Sequence, residues 1–283
     1  MTINTQPQLN NIAGLIIDMD GVLWHGNQPM AGLQDFFKTL RDLSMPFILA
    51  TNNASLTQRQ YRDKLAAMGV VINDNEVLTS SMATAKFLRE NLPAEKRRVF
   101  VIGEDGLKQP LLEQGFILTD LYQVNQPAKG IDGEGADIVV SGLDRQLTWD
   151  KLATATLNIR AGALFYATNA DTTLPTELGE VIGNGGTLAA LEAATGVKPV
   201  SIGKPEPILY QQALTMLGTN EANTVAIGDR LNTDILGAVN AGIRSIMVLT
   251  GVSSLTDLEQ VDYQPTWVMN DIKAVTAALR AYI

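Results

Sequence analysis

Two aspartates one residue apart, Asp18 and Asp20, follow directly on the apolar run that ends Ile16-Ile17, and Gly21 after them permits a tight turn. Paired acids at a strand end can divide covalent catalysis between them: an ionised carboxylate attacks, and its neighbour gives and takes a proton. A turn capped by two aspartates is the plainer reading of this string alone. A second apolar run, Phe47-Ile48-Leu49-Ala50, ends in Thr51, Asn52 and Asn53. Their hydroxyl, amide and N–H groups are donors suited to phosphoryl oxygens, or else Thr51 or Asn53 caps the helix that begins near Leu56. Lys204 stands between the run Val200-Ser201-Ile202 and a helix opened by Pro205 and Pro207. Most lysines in such places are solvated, but the flanking prolines fix this one near the same sheet edge, where it can stabilise negative charge. The fourth run, Val225-Ala226-Ile227, ends in Gly228-Asp229, and Asp234 follows at a helix start. Asp229 suits a small divalent cation as a hard oxygen ligand, with Asp234 as a further ligand, a support behind it, or only a first-turn acid on the helix dipole.

Any one of these strand ends is explained by turn preferences; four together are not. In open parallel sheets, ligands bind at the carboxyl ends of the strands, so the elements that carry these residues decide whether they meet. Short apolar runs alternate with amphipathic segments along the whole chain, the pattern of parallel strands joined by crossover helices. The pattern predicts strands over Ile12–Ile17, Pro46–Ala50, Arg98–Ile102, Phe116–Leu118, Asp137–Ser141, Leu164–Ala167, Pro199–Ile202, Thr224–Ile227 and Ser245–Leu249. It predicts helices over Gly32–Ser44, Leu56–Met68, Ser80–Asn91, Gly106–Gln114, Thr148–Ala161, Thr187–Thr195, Pro207–Leu217, Thr233–Ala241 and Asp271–Ala281, and a loop over Asn125–Gly135. That many strands overfill one sheet. If the middle third forms its own small α/β layer, the first and last thirds must join in one discontinuous sheet.

Composition narrows the chemistry. The chain has 283 residues, 46% of them hydrophobic, enough for one large domain or two moderate ones. No cysteine is present, which excludes thiolate nucleophiles, disulfides and Cys-ligated metal sites, and the single histidine, His25, makes histidine-centred mechanisms improbable. A net charge of −9 argues against broad binding to nucleic acid or an anionic membrane. The opening stretch has no signal-peptide pattern, no apolar run reaches membrane-spanning length, and a soluble cytoplasmic protein is the expectation.

In order and type, the four segments DMDGVLW, ATNN, GKPEP and GDRLNTDI resemble the motifs of the haloacid dehalogenase superfamily, and within it subfamily IIA, the NagD-like and pyridoxal-phosphate and nitrophenyl phosphatases. Ser141-Gly142-Leu143-Asp144 and Ala167-Thr168-Asn169-Ala170-Asp171 also look like that subfamily. The resemblance implies an α/β fold with a Rossmann-like doubly wound parallel-sheet core, residues 1–82 and 183–283, and an inserted smaller α/β cap over residues 83–182. Gly183-Asn184-Gly185-Gly186 then lies at the hinge. It further implies a phosphatase of small phosphomonoesters that works through an aspartyl-phosphate on Asp18, with Asp20 as acid and base. Magnesium would be held by Asp18, the Asp20 carbonyl and Asp229, with Asp234 behind them. Lys204, Thr51, Asn52 and Asn53 would bind the phosphoryl group.

The substrate is left open among nucleotides, pyridoxal phosphate, sugar phosphates and glycerol phosphates, and the cap is a surface on which relatives form homodimers. A non-catalytic phosphate sensor, a phosphotransferase and a dehalogenase on the same scaffold are the alternatives. Trp24 reads as packing, His25 as a solvated loop residue, and Arg230 is unassigned.

Overall fold

The computed structural model describes residues 9–125, 134–176 and 178–281. Eight of the residues in the loop expected over Asn125–Gly135, 126–133, lie outside the described ones. Most of the strands fall into two separate sheets, of six and five strands, which is where the surplus of runs in the sequence goes.

The first sheet has six strands in the order Trp267–Met269, Arg244–Val248, Thr224–Gly228, Gly14–Ile17, Phe47–Thr51 and Val77–Thr79. Pairing is parallel from Trp267–Met269 through to Phe47–Thr51. Three of its inner strands, Thr224–Gly228, Gly14–Ile17 and Phe47–Thr51, are buried along their whole lengths. Continuous apolar runs are what a parallel sheet covered on both faces selects, each large side chain contributing about 1.5–3 kcal/mol on burial. Helix Pro207–Leu217 starts with proline in its first turn and ends at Gly218 in the left-handed conformation, which is why its limits agree with those read from the sequence.

The second sheet has five strands in the order Val200–Ser201, Leu164–Ala167, Ile138–Ser141, Arg98–Ile102 and Ile117–Leu118, all parallel. Helices Trp149–Arg160 and Asn184–Thr195 contribute Ala155, Ile159, Leu188 and Leu191 to a core shared with Phe100, Val139 and Phe165. A hairpin, Thr173–Thr176 with Gly179–Ile182, precedes Asn184–Thr195.

The chain accordingly divides into two compact units. One gathers the described residues up to Thr51, Arg59–Leu78 and those from Lys204 on; the other comprises Asn52–Gln58 and Thr79–Gly203. The second junction falls at Gly203/Lys204 and not at the expected 182/183, because Val200–Ser201 pairs with Leu164–Ala167. The helix expected from Thr187 begins at Asn184, and Gly183 and Gly185 let its start lie close to the backbone that leads into the hairpin: a Cβ on Gly183 would lie 2.3 Å from the Asp171 carbonyl oxygen, and one on Gly185 2.8 Å from that of Ala170. Short pieces escaped the periodicity, among them the edge strands Val77–Thr79 and Trp267–Met269 and the pair Trp24–His25 and Gln28–Pro29. Among the described residues no helix is long and apolar enough to cross a membrane.

Candidate active site

Register brings the chemistry together. Ile17 is level with Ile227 on one side and with Leu49 on the other. The next residues along these strands are therefore Asp18, Gly228 and Ala50, with Asp229 and Thr51 one step further. Three strand ends that are far apart in sequence thus open on one edge, the carboxyl edge. The backbone N–H of Asp18 still bonds to the Ile227 carbonyl at 2.8 Å, so the residue leaves the sheet as a continuation of its strand.

Lys204 reaches into this edge. Its Nζ donates to Asp18 Oδ1 at 2.5 Å, to Asp234 Oδ1 at 2.6 Å and to the Ala50 carbonyl at 3.1 Å. An ammonium has three protons, and each here has an acceptor. Its side chain is 3% exposed, so the ordinary reading of a lysine as solvated does not hold here. Burial disfavours the ammonium, but the Asp18 and Asp234 carboxylates outweigh that and hold Lys204 well above the usual lysine range.

Asp234 is a strut. While Oδ1 takes the Lys204 proton, Oδ2 accepts from the backbone N–H groups of Asp229, at 3.3 Å, and Arg230, at 3.1 Å. A widened π-type turn over Leu231–Ile235 carries it, and the Tyr210 hydroxyl donates to its carbonyl at 2.9 Å. The segment expected as helix Thr233–Ala241 therefore starts with this turn and becomes α-helical at Leu236–Asn240.

Asp229 is held by a loop that sequence reasoning did not single out. Val252 N–H donates to its Oδ2 at 2.7 Å, and Ser253 N–H to its carbonyl at 3.2 Å. Two glycines make room for its carboxylate: a Cβ on Gly251 would lie 1.8 Å, and one on Gly21 2.5 Å, from Asp229 Oδ2. The available signal was Thr250-Gly251, which follows an apolar run like the other four strand ends. Burial, with Asp234 adding to it, pushes Asp229 up to about 7. Burial likewise raises Asp18 well above the carboxylate range, Lys204 pulling it back and Asp234 and Asp229 adding to the rise.

These carboxylates fit a cation. Ligand oxygens of Asp18, Asp229 and Asp234 lie within 4.8 Å of one another. If all three ionise, they leave two negative charges beyond the one ammonium of Lys204, the charge of one divalent ion, and an all-oxygen donor set is the one magnesium takes.

Asp20 is partly exposed and its Oδ1 accepts from Trp24 Nε1 at 2.7 Å. Thr51 is buried at the end of its strand. Asn52 and Asn53 belong to the second unit. There the Asn52 amide nitrogen lies 3.3 Å from both Asp171 oxygens, and its carbonyl accepts from Ser80 Oγ and Asn169 Nδ2, each at 2.8 Å. Asn53 Oδ1 accepts from the Ser55 N–H at 3.1 Å and hydroxyl at 2.7 Å, a local turn. His25 is exposed, and Arg230 is half-buried.

A family model described as haloacid dehalogenase-like hydrolase matches residues 15–117, and a second, HAD-hydrolase-like, matches residues 201–275. An acid sugar phosphatase of Staphylococcus saprophyticus is 36% identical over 271 residues, covering 96% of this chain and 99% of that protein. The 5'-nucleotidase YutF of Bacillus subtilis is 37% identical over 259 residues, covering 92% of this chain and 95% of that one. Among solved structures, a glycerol phosphate phosphatase of Mycobacterium tuberculosis, in complex with magnesium, superposes with a TM-score of 0.83 at 35% identity, over 94% of this chain and 76% of that one.

Proposed function

Because the chain belongs to the haloacid dehalogenase-like hydrolases, in their NagD-like group, and hydrolyses phosphomonoesters, we propose that it does so by covalent catalysis on Asp18 with Asp20 as proton donor and acceptor. The observation that carries this reading is the convergence of Lys204, Asp18 and Asp234 at one sheet edge beside Asp229.

In the first half-reaction an Asp18 carboxylate oxygen forms a bond to phosphorus and the bond from phosphorus to the ester oxygen breaks. The departing oxygen takes a proton from Asp20, and the alcohol leaves. In the second, Asp20, now ionised, takes a proton from water as the water oxygen attacks the phosphorus of the aspartyl-phosphate. The bond to Asp18 breaks, and inorganic phosphate and the Asp18 carboxylate are released. Lys204 lies beside the attacking carboxylate, where it holds Asp18 in place and offsets charge on the phosphoryl oxygens. Thr51 stands on the adjacent strand end with a hydroxyl donor.

Asp18 must be ionised to attack, yet burial among acids raises its pKa. One ammonium does not balance that cluster. We assign Asp18, Asp229 and the carbonyl of Asp20 as the residues that hold magnesium, and Asp234 as the support that holds Asp229 and Lys204 from behind. Bound magnesium supplies the positive charge that keeps the nucleophile ionised and screens it from an anionic substrate.

The substrate class is a small phosphomonoester. Its relatives are separately a sugar phosphatase, a nucleotidase and a glycerol phosphate phosphatase, so similarity on this scale leaves the alcohol undefined. The test of the mechanism is Asp20→Asn, which is expected to treat leaving groups unequally. An alkoxide needs a proton to leave and p-nitrophenolate does not. Rapid mixing should give a burst of nitrophenolate followed by a stalled phosphoenzyme, and no comparable burst with an alkyl ester. Equal slowing of both first steps would remove the acid–base role from Asp20.

A further inference from the structure

We infer that Trp24 is a positioning residue for Asp20, its indole N–H holding one carboxyl oxygen so that the other is presented for proton transfer. This rests on the reading of Asp20 proposed above.

The chain folds back on itself directly after the nucleophile. Leu23 N–H bonds to the Met19 carbonyl at 2.8 Å, and Gly21 N–H to the Trp24 carbonyl at 2.8 Å. Gly21 sits at φ 81°, a left-handed turn that a side chain would strain. The turn brings the indole beside the carboxyl four residues earlier, where Nε1 donates to Asp20 Oδ1 at 2.7 Å.

The ring itself has no freedom. It is fully buried, stacked on Tyr61 at 6.5 Å between centroids and 21° between planes, and the Lys64 ammonium lies 4.3 Å from a ring centroid. Tyr61 and Lys64 are three apart on helix Gln58–Ala67, so one helix face clamps the indole. A packing role alone would be met by any large apolar side chain. An indole adds a donor, which must find a partner when buried, and that donor is directed to Asp20.

The consequence lies in geometry. A carboxyl group whose one oxygen accepts a hydrogen bond of this length from a fixed N–H donor is restrained from rotating, and its second oxygen then points in one direction. Asp20 has to serve the departing ester oxygen and the incoming water at the same location, so a fixed direction serves both half-reactions. The clamp is on a different element from the nucleophile's strand, and its loss is expected to leave Asp18, Lys204 and Asp229 in place.

Trp24→Phe keeps an aromatic ring between Tyr61 and Lys64 and removes the N–H. Single-turnover formation of the phosphoenzyme is expected to slow by about tenfold or more with an alkyl phosphate and by less than about threefold with p-nitrophenyl phosphate, short of the hundredfold or more of a complete general acid. A merely structural role would slow both alike. Benzothienylalanine placed at position 24 replaces N–H by sulfur at nearly constant shape, and it should show the same contrast if Trp24→Phe does not fold. Independently, with 15N-labelled tryptophan, the Trp24 indole proton should resonate downfield and move upfield in Asp20→Ala. Equal slowing for both esters, no slowing for either, or an indole resonance insensitive to Asp20→Ala overturns the inference. Asp20→Asn measured in parallel separates the two claims: if it shows the leaving-group contrast and both Trp24 replacements do not, only the positioning role falls. If Asp20→Asn shows no contrast, the acid–base reading falls and the positioning role with it.

Discussion

Asp229 makes the metal-free protein sensitive to pH in a direction opposite to that of an ordinary surface aspartate. Its carboxyl is raised from 3.8 to about 7, so between those values the native state holds a proton that the unfolded chain has lost. Stability then falls as pH rises, because the slope follows protons bound in the unfolded state minus those bound in the native state. The stability that the neutral acid preserves is fully present below about pH 4 and is lost as pH rises through about 7. At about 1.4 kcal/mol per pH unit the complete change is about 4 kcal/mol, of which about 2–3 kcal/mol falls between pH 5 and 7.5. The perturbation is pH in the presence of chelator, and the assay is urea unfolding followed by tryptophan fluorescence at the two pH values. Asp229→Asn, which cannot ionise, is the reference: the wild type should lose about 2–3 kcal/mol more than the variant on going from pH 5 to 7.5. Magnesium at millimolar concentration should abolish the wild-type loss by binding the ionised carboxylates of the native state, and should do little for the variant. A wild-type stability that rises with pH relative to Asp229→Asn, or that magnesium leaves unchanged, would refute both the burial argument and the ligand assignment.

Two further substitutions probe the cluster. Asp18→Asn should retain the fold and lose hydrolysis, and radiolabelled substrate should mark the wild type but not the variant; turnover by Asp18→Asn would sink the covalent route. Lys204→Met should lower stability near neutral pH by about 3–5 kcal/mol, the cost of breaking a buried ion pair with Asp18 and Asp234, and the deficit should shrink in acid, where the Asp18 carboxyl, raised by burial, is neutral. Denaturant melts of wild type and variant across pH check it, and a deficit independent of pH would show that the ammonium is not balancing those carboxylates.

Much of the site was legible in the sequence because each part of it is a local event. An apolar run followed by a polar residue is visible within one window, and Asp18, Thr51, Lys204 and Asp229 all announce themselves in that way. Proline at the start and glycine at the end of Pro207–Leu217 likewise act within a turn of the chain, so that helix could be bounded by inspection. The absence of cysteine and the lone histidine exclude whole classes of chemistry by composition alone.

Partners distant in sequence become visible when the chain is folded. The proline-flanked position of Lys204 suggests a charge-stabilising role, but that Asp18 and Asp234 are the groups that take its protons is seen only in the fold, and Trp24 reads as packing until its N–H is seen on Asp20. The strand Val200–Ser201, just two residues long, could join either sheet by its pattern; its pairing with Leu164–Ala167 put it in the second. The Val252 N–H that holds Asp229 is a backbone donor, a group every residue but proline has, so no residue type marks it. Residue types and their spacing limit which reactions a chain can perform, whereas burial, charge balance and hydrogen-bond direction depend on which segments meet, and that is a property of the folded chain alone.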